Sequence, residues 1–511
     1  MTPTILYRSG RVHSPTDPRA TALLVRDGLL AWLGPDADAP AADRTVDLGG
    51  CLVTPAFVDA HVHTTSTGIA LLGLDLSGAR SAGEVLELLA RHAERYPADK
   101  VVIGHGWDES GWPVPEPPNA EELGRAAGGR PVYLSRVDKH SAVVSPALLA
   151  SVAPDEAGWD PAGWLRMGAH HRVRRVALDS VPPEQRQAAR RAALRRAAEL
   201  GIAAVHECGG REISSEDDFT AVLALGGDDL PEVYGYWGEL GGATRARELG
   251  AVGAGGDLFA DGALGSHTAH LRTPYTDGAG SGVGYLSAEE VAGHLVECTE
   301  LGVQGGFHAI GDRAVATVLA GFALAAARLG VDRLRAARHR IEHLEIIDKQ
   351  LIAGLVTFGV VASVQPAFDR LWGGADGMYA HRLGVPRALN SNPLAALAGV
   401  GVPLAFGSDT PVTPLDPWGT IRAAMAHHNP AHRVGFRTAL AAHTRGGWRA
   451  ARHDDEGVLS PGAPATFAVW DCPTVPALVP TGPDDEPAPA PRCRRTVLRG
   501  RVIYDESGEV P

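Results

Sequence analysis

The 511-residue sequence predicts an α/β chain built on a (β/α)8, TIM-like barrel, with a small composite β-sandwich from both chain ends and a capping insertion after the first strand. Three observations carry that expectation. Short apolar runs alternate with amphipathic helical stretches through the middle of the chain, eight such runs can be counted, and the two ends share a composition rich in β-branched residues, Gly and Pro. Strand and helix in alternation imply parallel strands joined by helical crossovers, and eight repeats favour closure over an open sheet.

The strand candidates are residues 56–63, 202–206, 232–237, 257–261, 303–308, 338–343, 360–365 and 402–408. Between them, residues 183–200 are rich in Ala, Arg and Glu and can stop at Gly201. Ser287 and Glu290 have the spacing of a capping box for a helix running to about Leu301. Further helices are expected near 312–330, 348–356 and 393–399. The segment from Asp75 to about Ser180 has strand-like runs of its own, at 101–104 and 132–137, and reads as an insertion capping the barrel mouth. A doubly wound open sheet using those two runs is the alternative. The expected division is 1–55 plus 455–511 for the sandwich and 56–454 for the barrel, with the Pro-rich stretch 473–491 as an exposed loop.

Composition limits the function classes. An apolar fraction of 45% and a charged fraction of 21% are those of a globular chain. A formal charge of −13 leaves no basic surplus to neutralise phosphates, so no nucleic-acid partner is expected. The arginine runs at 172–175 and 190–196 read as solvated helix faces. No apolar run is as long as a membrane span, and Met1 to Ser9 lacks the pattern of an export signal. Cys51, Cys208, Cys298, Cys472 and Cys493 are scattered and form no CxxC pair, which fits a reduced cytoplasmic protein. A small-molecule substrate is the expected partner. A homo-oligomer is compatible with a barrel of this size, but no sequence feature calls for one.

His61-Val62-His63 closes the first strand candidate, and side chains two apart on a strand share a face. An HxH alone is weak, since one is expected by chance among 21 histidines. Three more candidates occupy the same place on other strands: His308 ends VQGGFH, His343 ends RHRIEH, and Asp409 ends PLAFGSD. Singly, each reads best as a hydrogen-bonded or turn residue. Together they converge on one point if the barrel closes, at the strand ends where barrel enzymes do chemistry. Neutral imidazoles with a carboxylate suit a divalent metal, zinc first.

With VDAHVH, FADGALGSHTA, HAIGD, RIEH and GSDTPV in this order, the sequence resembles the amidohydrolase superfamily. It most resembles the YtcJ-like branch, which includes N-substituted formamide deformylases. GHGWDES and SRVDKH in the insertion also look like that branch. The resemblance implies that His61, His63, His308, His343 and Asp409 hold the metal, with Asp409 also shuttling a proton and His343 assisting at the oxyanion if it is not committed as a ligand. It implies hydrolysis of an amide- or formamide-type C–N bond by metal-activated water. One position departs: where binuclear relatives carry a bridging lysine, this chain has Asp257, several bonds shorter. One ion is therefore preferred, and two with another bridging carboxylate are the alternative. Glu207 is the leading substitute carboxylate, although a supporting hydrogen-bond role fits it as well. Trp107, Asp108, Asp138, His140 and Asp261 are candidates for the substrate pocket, Asp261 with an equal claim to a turn role. The rival readings are a mononuclear deaminase of a heterocycle and a catalytically inactive metal-binding barrel.

Overall fold

The computed structural model describes residues 3–97, 100–278, 280–475 and 489–508. Its centre is one parallel eight-stranded sheet that runs through Phe57–Val62, Ile202–Gly210, Glu232–Gly238, Gly253–Ala254, Gln304–Ala309, Arg340–His343, Val361–Val364 and Leu404–Phe406 in spatial as well as chain order. The ends meet: Val62 bridges Thr410 in parallel, the Asp409 N–H donates to the His61 carbonyl at 2.8 Å, and the His63 N–H donates to the Thr410 carbonyl at 3.0 Å. The sheet is therefore a (β/α)8 barrel, as the alternation of apolar runs and helices predicts.

Every described residue of the first, second, fifth, sixth, seventh and eighth strands is buried, as expected of parallel strands covered by helices outside and packed side chains inside. Helices end where local chemistry says they should. Ser287 and Glu290 form the reciprocal capping box of helix Ala288–Leu301. Helices Pro183–Glu199 and Asp312–Leu329 fill the expected crossovers. No single helix among the described residues is long and apolar enough to cross a membrane.

The fourth strand differs from expectation. It is the two-residue Gly253–Ala254, and residues 257–261 are irregular apart from a bridge between Phe259 and His308. The cause lies in the preceding GAGG run. A Cβ on Gly255 would lie 2.4 Å from the Gly306 Cα, so only glycine lets the two backbones approach this closely. The chain can then turn inward at Gly256, which has φ +72°, and carry Asp257 toward the barrel axis.

The chain ends build two sheets around one core. Ile5–Arg8, Ala22–Arg26, Leu29–Gly34 and Arg44–Asp47 form one sheet, while Arg11–Val12 and Leu52–Pro55 join Phe467–Trp470, Cys493–Leu498 and Arg501–Asp505 in the other. Tyr7, Leu23, Val53, Phe467 and Val497 pack together between them. Most of the Pro-rich stretch 473–491, namely 476–488, lies outside the described residues. The segment after the first strand forms a separate five-stranded sheet from Leu74–Asp75 to Trp164–Arg166, so the runs near 101 and 132 do not join the barrel.

Gly255→Ala should cost about 1–3 kcal/mol, because backbone rather than a movable side chain opposes the new methyl group. Gly399→Ala, which meets nothing within 4 Å, should be neutral or slightly stabilising. Thermal unfolding of both variants beside the parent checks this, and equal melting temperatures would refute the close-approach argument.

Candidate metal centre

The first strand presents His61 and His63 at its C-terminal end, and the closing backbone bonds put Asp409 beside them. His63 Nε2 lies 3.1 Å from Asp409 Oδ1, and His61 Nε2 lies 3.6 Å from the same oxygen. Asp257 enters from the irregular segment after the fourth strand, its Oδ1 3.4 Å from His61 Nε2 and its Oδ2 3.3 Å from His63 Nε2. His343 Nε2 is 4.0 Å from Asp257 Oδ1. These side chains are all buried.

The imidazoles are held from behind. His61 Nδ1 pairs with Glu342 Oε2 at 2.9 Å, His63 Nδ1 with the Cys208 carbonyl at 2.9 Å, and His343 Nδ1 with Gln365 Oε1 at 2.8 Å. An Nδ1–H donated to an oxygen leaves Nε2 with its lone pair, the arrangement in which histidine binds a metal. Glu342 is in turn paired with Arg340, whose Nη2 lies 2.9 Å from its Oε2. Although burial opposes the charged form, Arg340 and His61 hold the Glu342 carboxyl well below the ordinary range.

What the front of the cluster lacks is a partner. His61 Nε2, His343 Nε2, Asp257 Oδ1 and Asp409 Oδ1 are buried and make no hydrogen bond among the described residues. Buried polar atoms left unsatisfied are costly, and these four fall in two overlapping groups of candidate ligands that share His61, an arrangement that fits a cation. Their chemistry agrees. Burial pushes His343 down to about 3, which keeps it neutral. Burial would raise both carboxyls, but the neighbouring histidines hold Asp409 below, and Asp257 well below, the usual value. His343 and Asp409 also sit at φ +73° and +56°, conformations that non-glycine residues adopt mainly under constraint at functional sites.

The remaining sequence candidates separate. His308 packs its ring 4.4 Å from that of His343, but its Nδ1 faces Asp261 Oδ1 at 3.6 Å and it joins neither of the three-ligand groups built on His61 with Asp409 or Asp257. Glu207 accepts the Thr64 N–H at 2.8 Å, supporting the turn after the first strand. Asp261 accepts the N–H groups of Ile310, Gly311 and His270 at 2.9, 2.8 and 2.8 Å, so it staples backbone and does not face a pocket. Trp107 is wholly buried in the insertion, its Nε1–H on the Leu134 carbonyl at 2.8 Å, and Asp108 accepts Arg136 Nη2 at 2.7 Å. Neither of these two lines the cavity over the metal centre. Asp138 and His140 do line it, together with His308, His343 and Asp409.

Three residues escaped the sequence reading. Asp59 Oδ1 accepts the Ser408 N–H at 2.8 Å and the His61 N–H at 3.3 Å, tying the eighth strand to the first. Glu342 positions His61, as described. Glu345 lines the cavity and accepts a short hydrogen bond from the Tyr379 hydroxyl, and burial pushes its carboxyl up to about 7. The alternation of RIEHLE was a signal for the last two, since it carries carboxylates on both sides of a ligand candidate.

Comparison with known proteins agrees with this architecture. The "Putative amidohydrolase YtcJ" of Bacillus subtilis is 26% identical over 541 aligned residues, covering 96% of this chain and 97% of that protein. "Protein LONG AFTER FAR-RED 3" of Arabidopsis thaliana is 28% identical, covering 89% of this chain and 85% of its own. The solved structure of an uncharacterized metal-dependent hydrolase from Pyrococcus furiosus superposes with a TM-score of 0.71 at 24% identity, covering 92% of this chain and 99% of that one, which shows a shared fold. The family model for the amidohydrolase family matches residues 44–504. With nearly the whole chain matched and the histidine–aspartate cluster at the barrel's strand ends, this protein belongs to the amidohydrolase family and is a metal-dependent hydrolase of that superfamily.

Proposed function

We propose that the protein hydrolyses a C–N bond of amide or formamide type in a small molecule, using one divalent ion, zinc first, held by His61, His63, Asp257 and Asp409. The observation that carries the single-ion reading is the spacing of the ligand atoms. His61 Nε2 is shared by two candidate three-ligand groups, one with His63 and Asp409 and one with Asp257 and His343, and both Nε2 atoms lie 3.1–3.6 Å from carboxylate oxygens, Asp257 meeting His61 through Oδ1 and His63 through Oδ2. His343, at 4.0 Å from Asp257, adjoins this set as an additional ligand. Asp257 thus takes a larger part than its length suggested, because the backbone brings it inward.

Bound there, a divalent cation supplies Lewis acidity and lowers the pKa of water from about 16 toward 7. The protein supplies the rest. The Asp409 carboxylate accepts a proton from the attacking water and returns it to the leaving nitrogen as the C–N bond breaks. Asp409 suits this role because it lies at the edge of the cavity as well as in the ligand cluster. His343 serves as a ligand, not as an oxyanion donor, because its one N–H is spent on Gln365. Arg340 and Glu342 keep His61 in the correct tautomer.

Elemental analysis of purified protein should give one ion per chain, and chelation should abolish amide hydrolysis until metal is restored. Two ions per chain would overturn the single-ion reading. Asp257→Asn should lower metal affinity by at least about 10- to 100-fold, since losing even a residue that only supports a ligand costs that much. An unchanged affinity would remove Asp257 from the ligand set. Asp409→Asn should cut kcat by at least about 10²-fold in protein reloaded with metal. Turnover of a formamide or acetamide panel at the parental rate would exclude Asp409 as the proton carrier.

A further inference from the structure

The cavity above the metal centre is unequal in its charges. His308, His343 and Asp409 line it. So do the apolar and aromatic side chains Phe368, Trp372 and Met378, with Phe368 stacked on the His343 ring at 5.9 Å, and the carboxyl of Glu345. Glu345 is 2% exposed. Its side-chain hydrogen-bond partner among the described residues is the Tyr379 hydroxyl, which donates to Oε2, and Tyr379 is itself buried at 2%. No Lys, Arg or His among the described residues makes an ion pair with Glu345, whereas Asp138 in the same cavity is neutralised by Arg136 Nη1 at 3.0 Å.

Burial disfavours the charged form of a carboxyl with no cation beside it, so a cationic group entering the cavity would be a favourable partner for it. Tyr379 fixes the orientation of the group and occupies one oxygen, which leaves acceptor capacity on the other. Around it, aromatic faces are surfaces on which a cationic nitrogen is held favourably. An acceptor carboxyl set in an aromatic wall, within the cavity that the metal ligands share, describes a binding position for a donor nitrogen.

We propose that Glu345, oriented by Tyr379, is a specificity-determining residue that binds an amino group on the substrate, so that the preferred substrate class is an amide or formamide carrying a primary amine a few bonds from the scissile C–N bond. The proposal rests on the hydrolase reading for the identity of the scissile bond, but the amine position is a separate claim about this chain's own side chains.

The test uses two probes of equal length, N-(3-aminopropyl)formamide and N-butylformamide, which differ in a terminal ammonium against a methyl group. Calorimetric titration of chelated, full-length protein reads binding without turnover, and the same pair is then assayed for hydrolysis after metal is restored. The aminopropyl compound should bind at least about tenfold more tightly than the butyl compound, the ratio expected of a charge-assisted hydrogen bond. Glu345→Gln should reduce that ratio to near one, and Tyr379→Phe should reduce it about threefold through loss of carboxyl orientation. Selectivity is the informative readout, because damage to the fold would weaken both probes together, and Tyr379→Phe supplies the answer if Glu345→Gln does not fold. Equal affinities in the parent protein, or a ratio that persists in Glu345→Gln, would overturn the amine position. Preserved selectivity with no hydrolysis of either probe would sink the formamide reading instead and leave the amine position standing.

Discussion

The return of the eighth strand to the first is the contact on which the rest of this molecule depends. The backbone bonds of Asp409 to His61 and of His63 to Thr410 close the sheet, and in doing so they bring a carboxylate next to two imidazoles that lie almost 350 residues earlier in the chain. Gly407 makes the approach feasible, since a Cβ there would lie 2.6 Å from the His61 nitrogen. Asp59, accepting N–H groups from both His61 and Ser408, fastens the same seam from inside. Closure and ligand assembly are one event, so any disturbance of barrel geometry is felt directly at the cluster.

Rigidity at the front of the cluster comes from hydrogen bonds behind it. Each of His61, His63 and His343 spends Nδ1 on a fixed oxygen, and each therefore turns Nε2 toward the centre. The deepest of these supports is ionic. Arg340 reaches Glu342, the Ala60 carbonyl and the Ser363 hydroxyl with one nitrogen, at 2.9, 2.6 and 2.8 Å, and so joins the first, sixth and seventh strands inside the barrel. A buried pair of this kind is costly to desolvate and is retained where orientation matters more than net stability. Its neighbours fit that account, because without it His61 could rotate or change tautomer.

The cavity above this framework is lined by two kinds of element. His308, His343 and Asp409 come from strand ends, which the sheet holds in register. Phe368, Trp372, Met378 and Tyr379 come from the helices after the seventh strand, Pro366–Trp372 and Met378–Leu383, and Glu345 comes from just past His343. The candidate ligands thus sit on the rigid element, and much of the remaining lining sits on connecting segments that can vary without disturbing it.

The sequence by itself determined the barrel and pointed to His61, His63 and Asp409 as candidate ligands that the closed sheet brings together, because strand alternation, the HxH pair and an aspartate ending the last strand are local patterns with fixed geometric consequences. Only the tertiary structure decided the part played by Asp257: side-chain length argued against it, and the glycine-driven inward turn after Gly253–Ala254 overrode that argument. Tertiary contacts likewise separated Asp138 and His140, which face the cavity, from Trp107 and Asp108, which share the same insertion but are spent on Leu134 and Arg136. A motif states which groups are present on a segment. Which way each one points depends on partners hundreds of residues away, and those partners are assigned only when the chain packs.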